Sequence, residues 1–67
     1  MKAVAIKDVK YDEFFTLIPT EEPKESQVWV RGDYNRSTKK YEAHKFSNIG
    51  HFHEFGRNKK VYIDFIF

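Results

Sequence analysis

The sequence predicts a small all-β domain, built as an antiparallel barrel or a strongly twisted sheet of five or six short strands. Short apolar runs are separated by turn residues about every eight to twelve positions, a spacing typical of such folds. With 67 residues and no cysteine, we expect one domain over residues 1–67 without disulfides. Seven Phe, four Tyr and one Trp predict a core rich in Phe, whose large rings compensate for the small size of the domain. A β-rich α+β arrangement is the alternative.

The first two predicted strands cover residues 2–6 and 14–18, which are apolar, β-branched or aromatic. The polar residues between them favour a β-hairpin. A helix over residues 9–18 is the competing interpretation, and Pro19 would end it. The next segment, residues 19–26, has two prolines and three glutamates, which predicts a surface loop.

The most informative pattern is an amphipathic hairpin over residues 27–46. Residues 27–34 and 41–46 alternate between two faces, and residues 35–38 have the composition of a turn. Pairing Tyr34 with Lys39 places Val28 and Val30 on the inner face and Trp29 on the outer face.

This register also produces two complementary ion pairs on the outer face. Its outer pairs are Trp29 with His44, Arg31 with Glu42, and Asp33 with Lys40. Each ion pair contributes roughly 0.2–1 kcal/mol as a cross-strand contact, whereas a one-residue shift removes both. The register places Lys45 on the apolar face, where its amine must extend to the sheet edge.

The remaining chain is divided between residues 47–55 and a last strand. A strand through residues 51–55 is preferred, and one short helical turn within 47–55 is the alternative, because Ile49, Phe52 and Phe55 are three residues apart. Residues 61–67 have an apolar face and the composition of a central strand.

Nothing in the sequence indicates an enzyme, a cofactor or a small-molecule substrate. Thiol chemistry is impossible without cysteine, the serines lie in predicted turns, and the three glycines are too dispersed to bind phosphate. His51 and His53 would share one face of a strand, but no third ligand has a fixed spacing from them, so no metal site is predicted.

Basic residues are concentrated in the middle of the chain. Residues 31–60 contain eight Lys or Arg and three acidic residues. Aromatic rings among these cations predict a module that binds single-stranded nucleic acid, because rings stack on bases and cations neutralise phosphates. The candidate residues are Trp29, Arg31, Tyr34, Arg36, Lys39, Lys40, Phe46, Arg57, Lys59 and Lys60.

The alternative function is protein interaction or self-assembly. In that interpretation the outer face or an exposed edge strand contacts a protein partner or a second copy of the chain. We expect a cytoplasmic protein without membrane contact, because the apolar run of residues 3–6 stops at Lys7, too early for an export signal, and no other apolar run is longer than a few residues.

Overall fold

The computed structural model describes all 67 residues, and its strands form a single six-stranded antiparallel sheet. This confirms the predicted fold class. The strands are β1 (Lys2–Ala5), β2 (Phe14–Thr16), β3 (Val28–Asn35), β4 (Lys40–Lys45), β5 (Asn48–Gly56) and β6 (Lys60–Ile63). The helical content is limited to two short 3₁₀ turns, at Ile6–Asp8 and Glu25–Gln27. Neither is long and apolar enough to cross a membrane.

The strand order, β1-β6-β2-β3-β4-β5, requires the sheet to curl. β5 and β6 are consecutive in the chain but four strand positions apart, which corresponds to about 19 Å in a flat sheet. The four residue steps from Gly56 to Lys60 span at most about 14 Å. The connection is tighter still, because the Lys59 N–H donates to the Gly56 carbonyl at 2.9 Å. The two ends of the sheet therefore approach each other and enclose its inner face.

The core lies on this inner face, and each strand from β2 to β6 contributes one residue to it. Phe15 and Trp29 are opposite each other on β2 and β3. The Phe55 ring meets both edge to face, with centroid distances of 6.0 Å to Phe15 and 5.5 Å to Trp29. The buried cluster consists of Ile6, Val9, Phe15, Trp29, Ala43, Phe55 and Val61.

The predicted outward position of Trp29 is wrong. Its side chain is 7% exposed, and Trp29 lies opposite Lys45 rather than His44. Val28 and Val30 are also buried, on the other face of β3. Alternation cannot assign the inner face of a strand whose first three residues are all apolar. Packing assigns it, because burying an indole ring outweighs two surface ion pairs.

A bulge separates the two halves of the β3–β4 ladder. Arg31 is opposite Ala43 and Tyr34 is opposite Tyr41, so Gly32 and Asp33 together oppose one residue of β4. The two predicted ion pairs are therefore not formed by directly opposed residues. Arg31 instead holds its guanidinium 4.4 Å from the centre of the Tyr41 ring.

The predicted hairpin between the first two strands is also wrong. β6 lies between β1 and β2 and pairs antiparallel with both. The 3₁₀ turn at Ile6–Asp8 carries Ile6 and Val9 into the core, so the chain crosses the end of β6 instead of reversing beside β1.

The strands in the second half of the chain agree better with those predicted from the sequence. Residues 48–56 form a strand, as preferred, and not a helical turn. β6 is an interior strand, as predicted for the last strand, but it ends at Ile63. Asp64, with φ of 59°, redirects the backbone, and Ile66 donates its N–H to the Glu21 carbonyl at 2.7 Å. This route places the C-terminal residues on the outside of the sheet.

Candidate nucleic-acid interface

Three segments that are distant in the sequence meet at one end of the sheet. Lys40 is opposite Gly56, which places the loop at residues 36–39 beside the turn at residues 57–59. The first 3₁₀ turn joins them, because the N–H groups of Ile6 and Lys7 donate to the carbonyls of Lys59 and Arg57, at 2.9 and 3.2 Å. We call this region the basic end. Its cations are Lys7, Arg36, Lys39, Lys40, Arg57, Lys59 and Lys60.

The basic end carries a concentrated positive charge. All seven cations are exposed, and the segments that supply them contain a single carboxylate, Asp8. The one acidic residue of β5, Glu54, accepts hydrogen bonds from Asn35 Nδ2 at 3.0 Å and Thr38 Oγ1 at 3.1 Å. Because the whole chain has a net charge of +2, the residues outside the basic end are net negative. The protein therefore has a strong charge asymmetry along its length.

The loop at residues 36–39 is held in shape by its own hydrogen bonds. Asn35 Oδ1 accepts from the N–H groups of Ser37 at 2.9 Å and Thr38 at 3.4 Å, the pattern of an Asx turn. Lys39 then adopts φ of 58°, a left-handed conformation that returns the chain to β4. These contacts fix the backbone from which Arg36, Lys39 and Lys40 project.

Tyr34 supplies an exposed aromatic ring at this end. It is 38% exposed and contacts Tyr41, with ring centroids 4.7 Å apart. Arg31 also contacts the Tyr41 ring; it is half-buried, and its Nε is buried without a hydrogen-bond partner. Arg31 is therefore engaged with the tyrosine pair and is less available to a ligand than the turn cations.

Two of the predicted aromatic contacts lie elsewhere. Trp29 is in the core, and Phe46 is in the turn at the opposite end of β4, separated from Lys40 by about 20 Å along the strand direction. The structure thus brings together Tyr34 and the six predicted cations of the two turns. Arg31 is on the same strand as Tyr34, opposite Ala43, which is two residues along β4 from the partner of Tyr34. The structure adds Lys7, which could not be assigned from sequence because only the β1–β6 pairing brings it to this end.

Phe46 belongs instead to an exposed group that we call the phenylalanine cluster. It consists of Phe14, Phe46 and Phe67, which are 40%, 40% and 50% exposed. Their rings meet edge to face, with centroids 5.3 Å apart for Phe14 and Phe46, and 4.9 Å apart for Phe46 and Phe67. This cluster presents apolar surface without adjacent basic turns.

A groove of about 810 Å³ crosses the outside of β3, β4 and β5. Its lining includes Asp33, Glu42 and Glu54, together with Lys40 and His44. Glu42 and Glu54 are directly opposite each other on β4 and β5. Three carboxylates make the groove unsuitable for a phosphate ligand.

The two neighbouring histidines contact core rings. The His51 ring lies 5.7 Å from Trp29, and the His53 ring lies 4.7 Å from Phe55. No group of three His, Asp or Glu side chains in the structure could hold a metal ion.

Comparison of the chain with the models of known protein families, with curated proteins and with solved structures finds no match. The feature that stands out is the basic end, where three separate segments supply seven exposed cations and only one carboxylate, Asp8.

Proposed function

We propose that the chain is a non-catalytic binding module that binds nucleic acid through the basic end. The observation that carries the proposal is the convergence of seven exposed cations on one end of the sheet. A nucleic-acid backbone is a ligand with closely spaced negative charges, and counterion release makes its binding to such a surface favourable.

Single-stranded nucleic acid is the ligand class that we propose. Tyr34 is an exposed ring at the basic end, and a base freed from pairing can stack on it. The cations lie on turns and at strand ends, so they would contact phosphates and hold the strand in place without reading base edges. We therefore expect binding with little sequence preference.

Salt dependence of binding tests this proposal. The affinity for a labelled oligothymidylate of about 15 nucleotides is measured by fluorescence anisotropy at several salt concentrations. Each phosphate contact on a single strand contributes about −0.7 to the slope of log K against log salt. Replacing Arg57 and Lys59 by Gln should reduce the steepness of that slope by about 1.4.

The matched control removes two exposed cations that lie outside the basic end. Lys2, opposite Ile63 on β6, and Lys24, in the loop before β3, are replaced together by Gln. This control has the same net charge as the test variant and should retain the wild-type slope. Equal losses in both variants, or no binding by the wild-type chain at low salt, would refute the proposal. A duplex of equal length should bind less tightly if Tyr34 stacks on a base.

Protein interaction or self-assembly is the second candidate function. The specific observation in its favour is exposed apolar surface at the phenylalanine cluster and on β5, where Ile49 is 74% and Phe52 is 71% exposed. Exposed apolar residues in contiguous groups are typical of interaction surfaces.

A further inference from the structure

The outer edge of β5 is an unpaired strand edge. β1 and β5 are the two edges of the sheet, and β5 is nine residues long whereas β1 has four. Apart from the ladder with β4, only one hydrogen bond involves a backbone group between residues 48 and 55: Gly50 donates its N–H to Asn48 Oδ1 at 3.1 Å. Outward-facing N–H and C=O groups of this strand are therefore free to pair with another strand.

β5 also lacks most features that prevent edge pairing. It contains no Lys, Arg, Asp or Pro, and its one charged residue, Glu54, is held by Asn35 and Thr38. Phe52 and Ile49 are the two most exposed large apolar residues of the chain. The protective feature present is the bulge at residues 49–51, which leaves the strand regular from Phe52 onward.

We propose that the chain forms a symmetric homodimer in which β5 pairs antiparallel with β5 of a second copy. Twofold symmetry makes one residue pair with itself, and the regular part of β5 offers Phe52, His53 or Glu54 for that position. A register centred on Glu54 opposes two carboxylates, and one centred on His53 places each Phe52 against a carboxylate. The register centred on Phe52 avoids both costs.

In the Phe52 register residues 53–56 of each copy meet residues 48–51 of the other, so the bulged segment must straighten to complete the ladder, and the pairs that it then forms are compatible. Phe52 lies opposite the copy's Phe52, His51 opposite the copy's His53, and Glu54 opposite the copy's Gly50. The two Phe52 rings are removed from water against each other, and backbone hydrogen bonds supply the remaining affinity. No carboxylate faces another carboxylate across this interface.

Charge also favours the antiparallel arrangement over the whole length of β5. The basic end lies at the Gly56 end of the strand, and the turn at Phe46 and Ser47 lies at the other. Antiparallel pairing places the basic end of each copy beside that turn of the other copy, so the two sets of cations do not face each other. The dimer forms independently of whether the basic end binds nucleic acid.

Sedimentation velocity over a range of protein concentrations tests the dimer. The wild-type chain should show a sedimentation coefficient that rises with concentration, whereas Phe52→Lys should sediment as a monomer throughout. Ile66→Lys is the matched control, because Ile66 is 70% exposed and lies outside β5, and it should behave as wild type. Circular dichroism checks that both variants are folded. A wild-type monomer at every concentration, or equal behaviour of the two variants, overturns the proposal.

Cysteine cross-linking tests the register without removing Phe52. The chain has no cysteine, so His51→Cys and His53→Cys each introduce a single thiol. Directly opposed residues are about 4.5–5.5 Å apart, within disulfide range, whereas identical positions lie on a diagonal of about 7–8 Å. In an equimolar mixture with one variant ¹⁵N-labelled, mass spectrometry should find the mixed disulfide in more than tenfold excess over either symmetric one. A statistical mixture or an excess of a symmetric disulfide contradicts the register.

Discussion

The Phe55 ring meets the Trp29 ring edge to face, at 5.5 Å between centroids and almost perpendicular planes. Phe55 comes from the edge strand β5 and Trp29 from β3, so this contact joins two strands separated by β4 on the inner face. Phe15 from β2 completes the group through its own edge contact with Phe55. Because the chain is small, this aromatic group is a large share of its core.

Truncation of Phe55 should therefore unfold much of the protein. Phe55→Ala should cost about 3–5 kcal/mol, comparable to the whole stability expected of a chain of this size. Phe52→Ala, which removes the same ring three residues earlier on β5, should change the stability of the monomer by less than about 0.5 kcal/mol because Phe52 is 71% exposed. Urea unfolding of both variants at low concentration measures the difference. Equal costs would show that the Phe55 contacts are not a central part of the core.

Trp29 should report on folding but not on ligand binding. Its 7% exposure predicts a blue-shifted emission and weak quenching by acrylamide in the native state. Adding an oligonucleotide should leave this emission unchanged, because Trp29 lies in the core and not at the basic end. Strong quenching on addition of the oligonucleotide would contradict that geometry.

The Lys39→Gly variant should be more stable than the Lys39→Ala variant. The φ of 58° at Lys39 lies in the left-handed region, where a Cβ costs roughly 1–2 kcal/mol. Glycine loses more entropy on folding, so we expect Lys39→Gly to exceed Lys39→Ala in stability by about 1 kcal/mol. Both substitutions remove the same charge, and thermal unfolding compares them directly. If Lys39→Ala is the more stable variant, the loop does not have this conformation in solution.

The opposed carboxylates of Glu42 and Glu54 should destabilise the β4–β5 ladder. Glu42→Gln should raise the free energy of unfolding by roughly 0.2–1 kcal/mol, because like charges directly opposite each other repel. The gain should shrink in high salt. Glu22→Gln makes the same charge change in an exposed loop and should have almost no effect. A gain of equal size in that control would assign the effect to net charge alone.

Substitution by alanine should change the stability of the protein differently at Gly32 and at Gly56. A Cβ on Gly32 would lie 3.2 Å from the Glu42 carbonyl oxygen, at the bulge, whereas a Cβ on Gly56 would meet nothing within 4 Å. Gly56→Ala should stabilise the protein by about 0.4–1 kcal/mol through the unfolded chain. Gly32→Ala should not give this stabilisation, because the backbone of β4 at Glu42 must move to make room for the new Cβ. Chemical denaturation should therefore separate the two variants.

The sequence by itself determined which segments form strands in the second half of the chain. Alternation and turn residues located β3, β4 and the loop between them, and they favoured strands in the regions of β5 and β6. The same local pattern placed basic residues in two turns. These features depend on neighbouring residues, whose preferences are readable along the chain.

Tertiary structure decided which face of β3 points into the core cluster. A strand has a period of two residues, so a shift of one residue exchanges its faces, and Val28, Trp29 and Val30 are apolar on both. Only packing against Phe15 and Phe55 turns Trp29 inward. The bulge at Gly32 and Asp33 separates the residues of the predicted ion pairs, which alternation along one strand does not reveal.

Tertiary structure also decided which cations share a surface. The pairing of β6 with β1, rather than a hairpin between β1 and β2, carries Lys7 to the turn at residues 57–59. The β4–β5 ladder brings Lys40 to the same place, and the length of β4 keeps Phe46 away from it. These relations join residues far apart in the sequence, and only the curled sheet that encloses the aromatic core establishes them.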